Sequence, residues 1–440
     1  MSAKRRFVTL GSLCVFSAVL AACSGGPPGS GSTTGSGSGS SGNLVFAEFN
    51  PFSGPDAAFG PEMLVACKAT VDVINHDGGI LGHKASCKGV DTHGDPADAV
   101  AAANQMIATT SNLAGVIGPS SDEALATVPI LNQSHIPMFA DTGQAAFDHS
   151  TAPYFWRLSP ADDVKGYAMA IYAHKQGWTR GAAVFGNDVG SQSDVPTLLR
   201  AVSLLGGKMV SNQAIALDQA SYRTEVENML AAKPQVIFTE EDPATAATFL
   251  SEVAQLNGGR LIPVVGTETT LEASWVQAVV HAIGSPLLRK YQVGVQPYAP
   301  PSGPAYGPFH TALYASKAAS AANLAVYSTD PYAMGYYDSV NIMALAMIAA
   351  KSTSTTKYNA EITAVSNPGS GKVVVHTFAA GKAALEAGKR IQYIGASGPA
   401  VFNKYHNSTG AFEVAGYLGP GKIKLAGVVS AAQIAALSGR

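Results

Sequence analysis

Residues 113–144 read LAGVIGPSSDEALATVPILNQSHIPMFADTGQ, and this stretch decides the fold. An apolar run at 113–117 reads as a strand, apolar residues at helical spacing over 123–133 as a helix, and 137–140 as a second strand. Strand, helix and strand in succession make a parallel crossover unit. Strands of such a sheet are apolar throughout, because helices cover both faces. Both runs end in polar residues: Gly118-Pro119-Ser120-Ser121 after the first, Asp141-Thr142-Gly143-Gln144 after the second.

The same rhythm extends in both directions. Upstream, 44–47 and 85–91 read as strands, with helices at 61–75 and 96–109. Downstream it restarts after Ser159-Pro160. Helices at 164–176, 194–205, 222–232 and 244–256 alternate there with strands at 181–185, 209–215, 236–239 and 261–265. The expected fold class is therefore α/β, with two doubly wound, Rossmann-like lobes and a hinge. Proline, glycine and tyrosine at 297–308 mark a crossing between lobes. Beyond it, 332–350 is a strong helix pattern and 359–387 holds one or two more. Strand-like pieces follow at 391–394, 399–403 and 411–417, while 352–372, poor in apolar residues, reads as a surface excursion. These readings assign 43–159 plus about 298–388 to lobe 1, and 160–297 plus about 389–440 to lobe 2.

The N-terminal segment reads as an address. Lys4-Arg5-Arg6, an apolar stretch shorter than a membrane span of ~20 residues, and Leu20-Ala21-Ala22-Cys23 have the layout of an export signal over 1–22. Cys23 directly after Leu-Ala-Ala resembles the lipobox of bacterial lipoproteins, in which that thiol is lipidated. The rest of 23–42 is nearly all Gly, Ser, Thr and Pro, cannot nucleate a core, and behaves as a coil spanning ~24 Å. The expectation is an extracytoplasmic body, leashed to a bacterial cell membrane through lipidated Cys23. The chain carries 28 basic and 30 acidic residues; losing Lys4, Arg5 and Arg6 leaves 25 against 30. Nucleic acid, which needs a basic footprint, is not an expected partner. Past the anchor remain Cys67, on the first helix pattern, and Cys87, on the next strand. Outside the cytoplasm such a pair favours a disulfide.

In open α/β sheets, ligands bind beyond the carboxyl ends of strands. In the second unit those ends are Gly186-Asn187-Asp188, Thr239-Glu240-Glu241-Asp242 and Gly266-Thr267-Glu268-Thr269. Singly, each piece has a plain use: serine caps a helix, Gly143 turns the chain, and acids face water. Together they set hydroxyls and amide donors on one lobe against carboxylates on the other. That arrangement suits a zwitterion, with its carboxylate at Ser121 and its ammonium at Glu268.

From residue 44 to about 417 the chain resembles the type I extracytoplasmic solute-binding proteins of the Leu/Ile/Val-binding family, which serve ABC importers. The carrying residues begin with Pro51-Phe52-Ser53-Gly54-Pro55, Phe59-Gly60, Val73-Ile74-Asn75, Gly78-Gly79-Ile80 and Asp95-Pro96. Then come the serine loop 118–121 with Ala124, Pro129 and Ile136-Pro137, Tyr154-Phe155-Trp156-Arg157, and Tyr337-Asp338. The resemblance implies a periplasmic binding protein type I fold and a ligand carboxylate on Ser121, with Ser120 beside it. It places Thr142, Gly143 and Gln144 at the same end of the ligand, Phe59 along the cleft, and Glu268 on the ligand's ammonium. Three positions depart from the pattern: Gln144 replaces a usual Thr or Ser, Glu241 a usual Tyr, and Val189 a common aromatic residue. A branched-chain amino acid is therefore not assumed, and a cationic, amide or polar amino-acid-like ligand fits as well.

The expected function is capture of a small polar solute by closure of the lobes, and its delivery to a membrane permease. The protein is expected to act as a monomer, without cofactor or metal. One alternative is a ligand sensor that signals through a partner protein. A secreted hydrolase is the other, disfavoured because the chain has no GxSxG elbow and no HExxH pattern.

Overall fold

The computed structural model describes residues 42–438, apart from 55, 58, 409 and 421. The expected signal, Cys23 and the linker up to residue 41 lie outside the described residues. Strands β1 (Leu44–Asn50), β2 (Ala85–Asp91), β3 (Leu113–Ser120), β4 (Met138–Asp141) and β5 (Phe155–Trp156) form a parallel sheet in the order β2-β1-β3-β4-β5. Strands β6 (Arg180–Gly186), β7 (Lys208–Ile215), β8 (Val236–Glu240), β9 (Val264–Thr267) and β10 (Gln292–Pro297) run parallel in the order β10-β9-β8-β6-β7. A small sheet joins β11 (Val373–Val375), β12 (Ile391–Gly395) and β13 (Gly398–Pro399). The hairpin of β14 (Phe412–Gly419) and β15 (Lys422–Val429) then adds antiparallel to β10, completing the second sheet.

The central strands form because their side chains are apolar on both faces. In β3 and β6 every residue but those at the ends is buried. The first sheet packs on helices Phe59–His76 and Pro331–Ala350. The latter is apolar around most of its circumference, as a helix enclosed by its own core must be. No helix among the described residues is long and apolar enough to cross a membrane. Cys67 and Cys87 are joined in a disulfide, with Cα atoms 6.1 Å apart across 20 positions of sequence. It fastens helix Phe59–His76 to β2, the outer strand of its sheet.

Three segments differ from the sequence-based expectation. The 352–372 region is no surface excursion: Tyr358, Ile362 and Val365 are buried in the first sheet's core. Its few large apolar residues point inward, so average composition misrepresented it. Ile391, Tyr393, Ala396, Ala400 and Phe402 belong to that same core, so the chain returns to the second lobe after about residue 402 rather than at 389. The expected 194–205 helix is present as Val195–Leu204, and a short unforeseen turn, Val189–Gln192, precedes it, capped by Asp188 through Ser191 N.

The chain passes between the sheets near residues 157–161, 298–305 and 403–411. The first and third passages bond to each other, Arg157 N donating to His406 O and Ser408 N to Arg157 O. Tyr298 N donates to Ala411 O, tying in the second. Trp156 stacks flat on His406 with ring centroids 3.7 Å apart.

Candidate functional site

Both sheets reverse strand order at a switch point, between β1 and β3 in one and between β6 and β8 in the other. The chain leaves strand ends in opposite directions there, which opens a crevice. The two crevices face each other across a cavity of about 280 Å³.

The first wall is built from β3 and β4. Helix Ser121–Gln133 starts where β3 ends, so Ser120 and Ser121 sit at its amino end. Ser120 Oγ donates to Glu123 Oε2 at 2.9 Å, and Thr92 Oγ1 donates to Glu123 Oε1 at 2.7 Å, which satisfies a buried carboxylate. Ser121 Oγ is held only loosely, 3.4 Å from Thr142 Oγ1. Gln144 Nε2 donates to Ser121 O at 2.7 Å. Buried Arg157 donates to the carbonyls of Thr142 and Gln144 and pairs with Asp148 at 2.6 Å. Asp91, at the end of β2, accepts from Phe52 N, Ser53 Oγ and His93 N, fixing the loop that carries Asp56 and Phe59 to the cavity.

The second wall holds a cation that the sequence did not single out. Lys165, on helix Asp162–Lys175, is buried, with Nζ 2.8 and 2.9 Å from the two oxygens of Glu268 and 3.3 Å from Asp194 Oδ2. Glu268 is thus already engaged by the protein's own ammonium, which corrects its expected role as a bare acid awaiting a ligand. Nearby, Asp141 accepts from Tyr336 Oη and from Ser159 Oγ.

The rest of the cavity is acidic. Asp56 and Asp122 line it from the first lobe, and Asp188, Glu240, Glu241 and Asp242 from the second. The lobes touch at its rim, where Asp122 Oδ1 accepts from Gly190 N at 2.9 Å. Burial, reinforced by repulsion from Asp122, Asp188 and Glu240, pushes the Asp56 carboxyl well above its usual range. Burial and the Asp188 charge raise Asp122 as well. Glu241 is pushed up to about 8, chiefly by burial, against a hydrogen bond from Thr239. A wider hollow of about 470 Å³ adjoins at the interlobe passages, and among the described residues its lining includes no acidic side chain.

Of the residues singled out from sequence, Phe59, Ser120, Ser121, Gly143, Glu241 and Glu268 line the cavity together. Thr142 and Gln144 are buried behind it and bonded to Ser121 and Arg157, although Gln144 Oε1 has no hydrogen-bond partner. Val189 is about half exposed, at 49%, and outside the lining, because the short helix it begins turns it outward. Sequence reasoning missed Lys165, Asp56 and Asp122. Asp122 directly follows the serine loop and was legible as a neighbour. Lys165 was not, since only the return of its helix against β9 brings it to Glu268.

The family model for periplasmic binding proteins matches residues 47–409. A Leu/Ile/Val-binding protein of Rhizobium johnstonii is 33% identical over 96 residues, covering 22% of this chain and 26% of that protein. A Leu/Ile/Val-binding protein homolog of Brucella melitensis is 38% identical over 65 residues, covering 15% and 18%. The matched stretches thus span about a quarter or less of these curated relatives. Among solved structures, the branched-chain amino acid substrate-binding protein of Streptococcus pneumoniae in complex with isoleucine superposes with a TM-score of 0.70 at 17% identity. The alignment covers 88% of this chain and 99% of that one. A solute-binding protein from R. palustris in complex with benzoate gives 0.69 at 18% identity, covering 88% and 97%. The chain belongs to the periplasmic binding protein family.

Proposed function

We propose that this protein captures a small polar solute between its lobes outside the cytoplasm and delivers it to an ABC permease, held at the membrane by lipidated Cys23. The observation that carries this reading is the cavity itself, walled by strand ends of both sheets at their switch points. Contacts made to both walls at once exist only in the closed arrangement, so ligand binding stabilises that arrangement. On one wall, Ser121 Oγ and the start of its helix suit a carboxylate or another acceptor group. Opposite, Lys165 neutralises Glu268, so that wall is ordered before any solute arrives. An unpartnered charge enclosed by closure would be costly, which makes the solute's own charges the basis of selection.

The test is uptake. Vesicles holding the cognate permease and its ATPase should accumulate a solute found by thermal-shift screening only when this protein is added. Binding without stimulated uptake would instead favour a sensing role.

A further inference from the structure

The cavity lining combines Ser121 and the Lys165–Glu268 pair with a larger set of acids. Asp56 and Asp122 of the first lobe stand against Asp188, Glu240 and Glu241 of the second, and Lys165 is the cavity's only lysine or arginine among the described residues. The acids are not explained by internal pairing alone. Glu241 is 1% exposed and lines the cavity; one of its oxygens accepts from Thr239 Oγ1, while Oε1 has no hydrogen-bond partner. Asp242 caps helix Pro243–Leu256 through Oδ1, yet its Oδ2, on a side chain 8% exposed and also in the lining, is likewise unmatched. A buried acceptor without a donor costs free energy that a bound donor recovers.

An apolar ligand group against these acids would leave those oxygens dry and unbonded. A carboxylate or phosphate would add repulsion from both lobes. A divalent cation would answer the charge, but it would need several of these oxygens around one point, and the acids are spread along opposing walls of a 280 Å³ space. Several donors on a positively charged, extended organic group answer both charge and geometry.

We infer that the solute taken by this cavity is an organic cation of net positive charge, its amine or guanidinium group seated between Asp56–Asp122 and Asp188–Glu240–Glu241. This rests on the solute-binding reading above and narrows it to organic cations. Because the five acids come from both lobes, a cationic group seated among them bridges the lobes and favours the closed arrangement.

The test uses the full extracytoplasmic body with arginine, lysine, putrescine, leucine and benzoate as probes, followed by thermal unfolding and titration calorimetry. At least one cationic probe should raise the unfolding midpoint and bind at least tenfold more tightly than leucine or benzoate. Glu241→Gln and Asp188→Asn should each weaken that probe tenfold or more while unfolding without ligand is preserved. Tight binding of leucine or benzoate with no response to the cations would overturn the inference and leave solute capture standing. Stabilisation by calcium or magnesium in place of the organic cations would also overturn it. No binding in any class would remove both readings.

Discussion

Replacing Lys165 by methionine is the most informative perturbation of this site. The side chain is 5% exposed, and its Nζ lies within 3.3 Å of oxygens from both Glu268 and Asp194, the latter fully buried. Methionine fills much the same volume but leaves two carboxylates facing each other with their cation gone. Removing one member of a buried ionic group typically costs ~3–5 kcal/mol, because the remaining charge stays desolvated. We expect Lys165→Met to lose that much in urea unfolding. Combining it with Glu268→Gln should recover about 1–3 kcal/mol, the coupling expected of groups in direct contact. Glu268→Gln alone should be milder, since Asp194 still holds Lys165. A Lys165→Met loss below ~1 kcal/mol, or strict additivity with Glu268→Gln, would refute the idea that this pair is built before ligand binds.

Other measurements probe separate features. Reducing the Cys67–Cys87 bond, or replacing both residues by alanine, should cost ~3 kcal/mol, the chain-entropy value for a loop of this size; an unchanged unfolding midpoint would contradict it. Asp141, Asp330 and Glu241 are raised to about 6, 7 and 8, in each case chiefly by burial. Folded-state values above the ordinary carboxyl range mean that their contribution is full below about pH 4 and is lost as pH rises through 6 to 8. The ligand-free protein should therefore melt at a lower temperature at pH 8.5 than at pH 5.5, and the opposite order would defeat this account. A cation seated against Glu241 should expel its proton, so binding enthalpy at pH 7 should differ between phosphate and Tris buffers. Equal enthalpies would speak against contact. Ser121→Ala should weaken a carboxylate-bearing probe about tenfold, the loss of one hydrogen bond to a charged group, and an unaltered affinity would take Ser121 out of the site.

Much of the fold was legible because parallel strands enclosed on both faces leave uninterrupted apolar runs. The runs at 113–117 and 236–239 map onto β3 and β8, whereas β2 (ASCKGVD) is a half-exposed outer strand without that signature. The strands that escaped notice lack that signature. β10 (QVGVQP) alternates polar and apolar residues, and β15 (KIKLAGVV) is an edge strand exposed over most of its length. Strand-end reasoning located Ser121, Glu241 and Glu268, since position at a strand end is a local property. It misjudged Val189 and the role of Glu268, because a helical turn's facing and a partner 103 residues away are tertiary facts. Asp188 and Glu240, quoted only as members of polar strand ends, prove to be half of the acidic wall.

The three passages between the sheets lie side by side and bond to one another through Arg157, His406, Ser408, Tyr298 and Ala411. Such a strap flexes across its width but resists torsion, because twisting would shear those bonds. The gape of the mouth is then governed by a single coordinate. A solute a few ångströms long thereby dictates the spacing of outer rims it never touches, and a docking protein can read occupancy from that spacing alone.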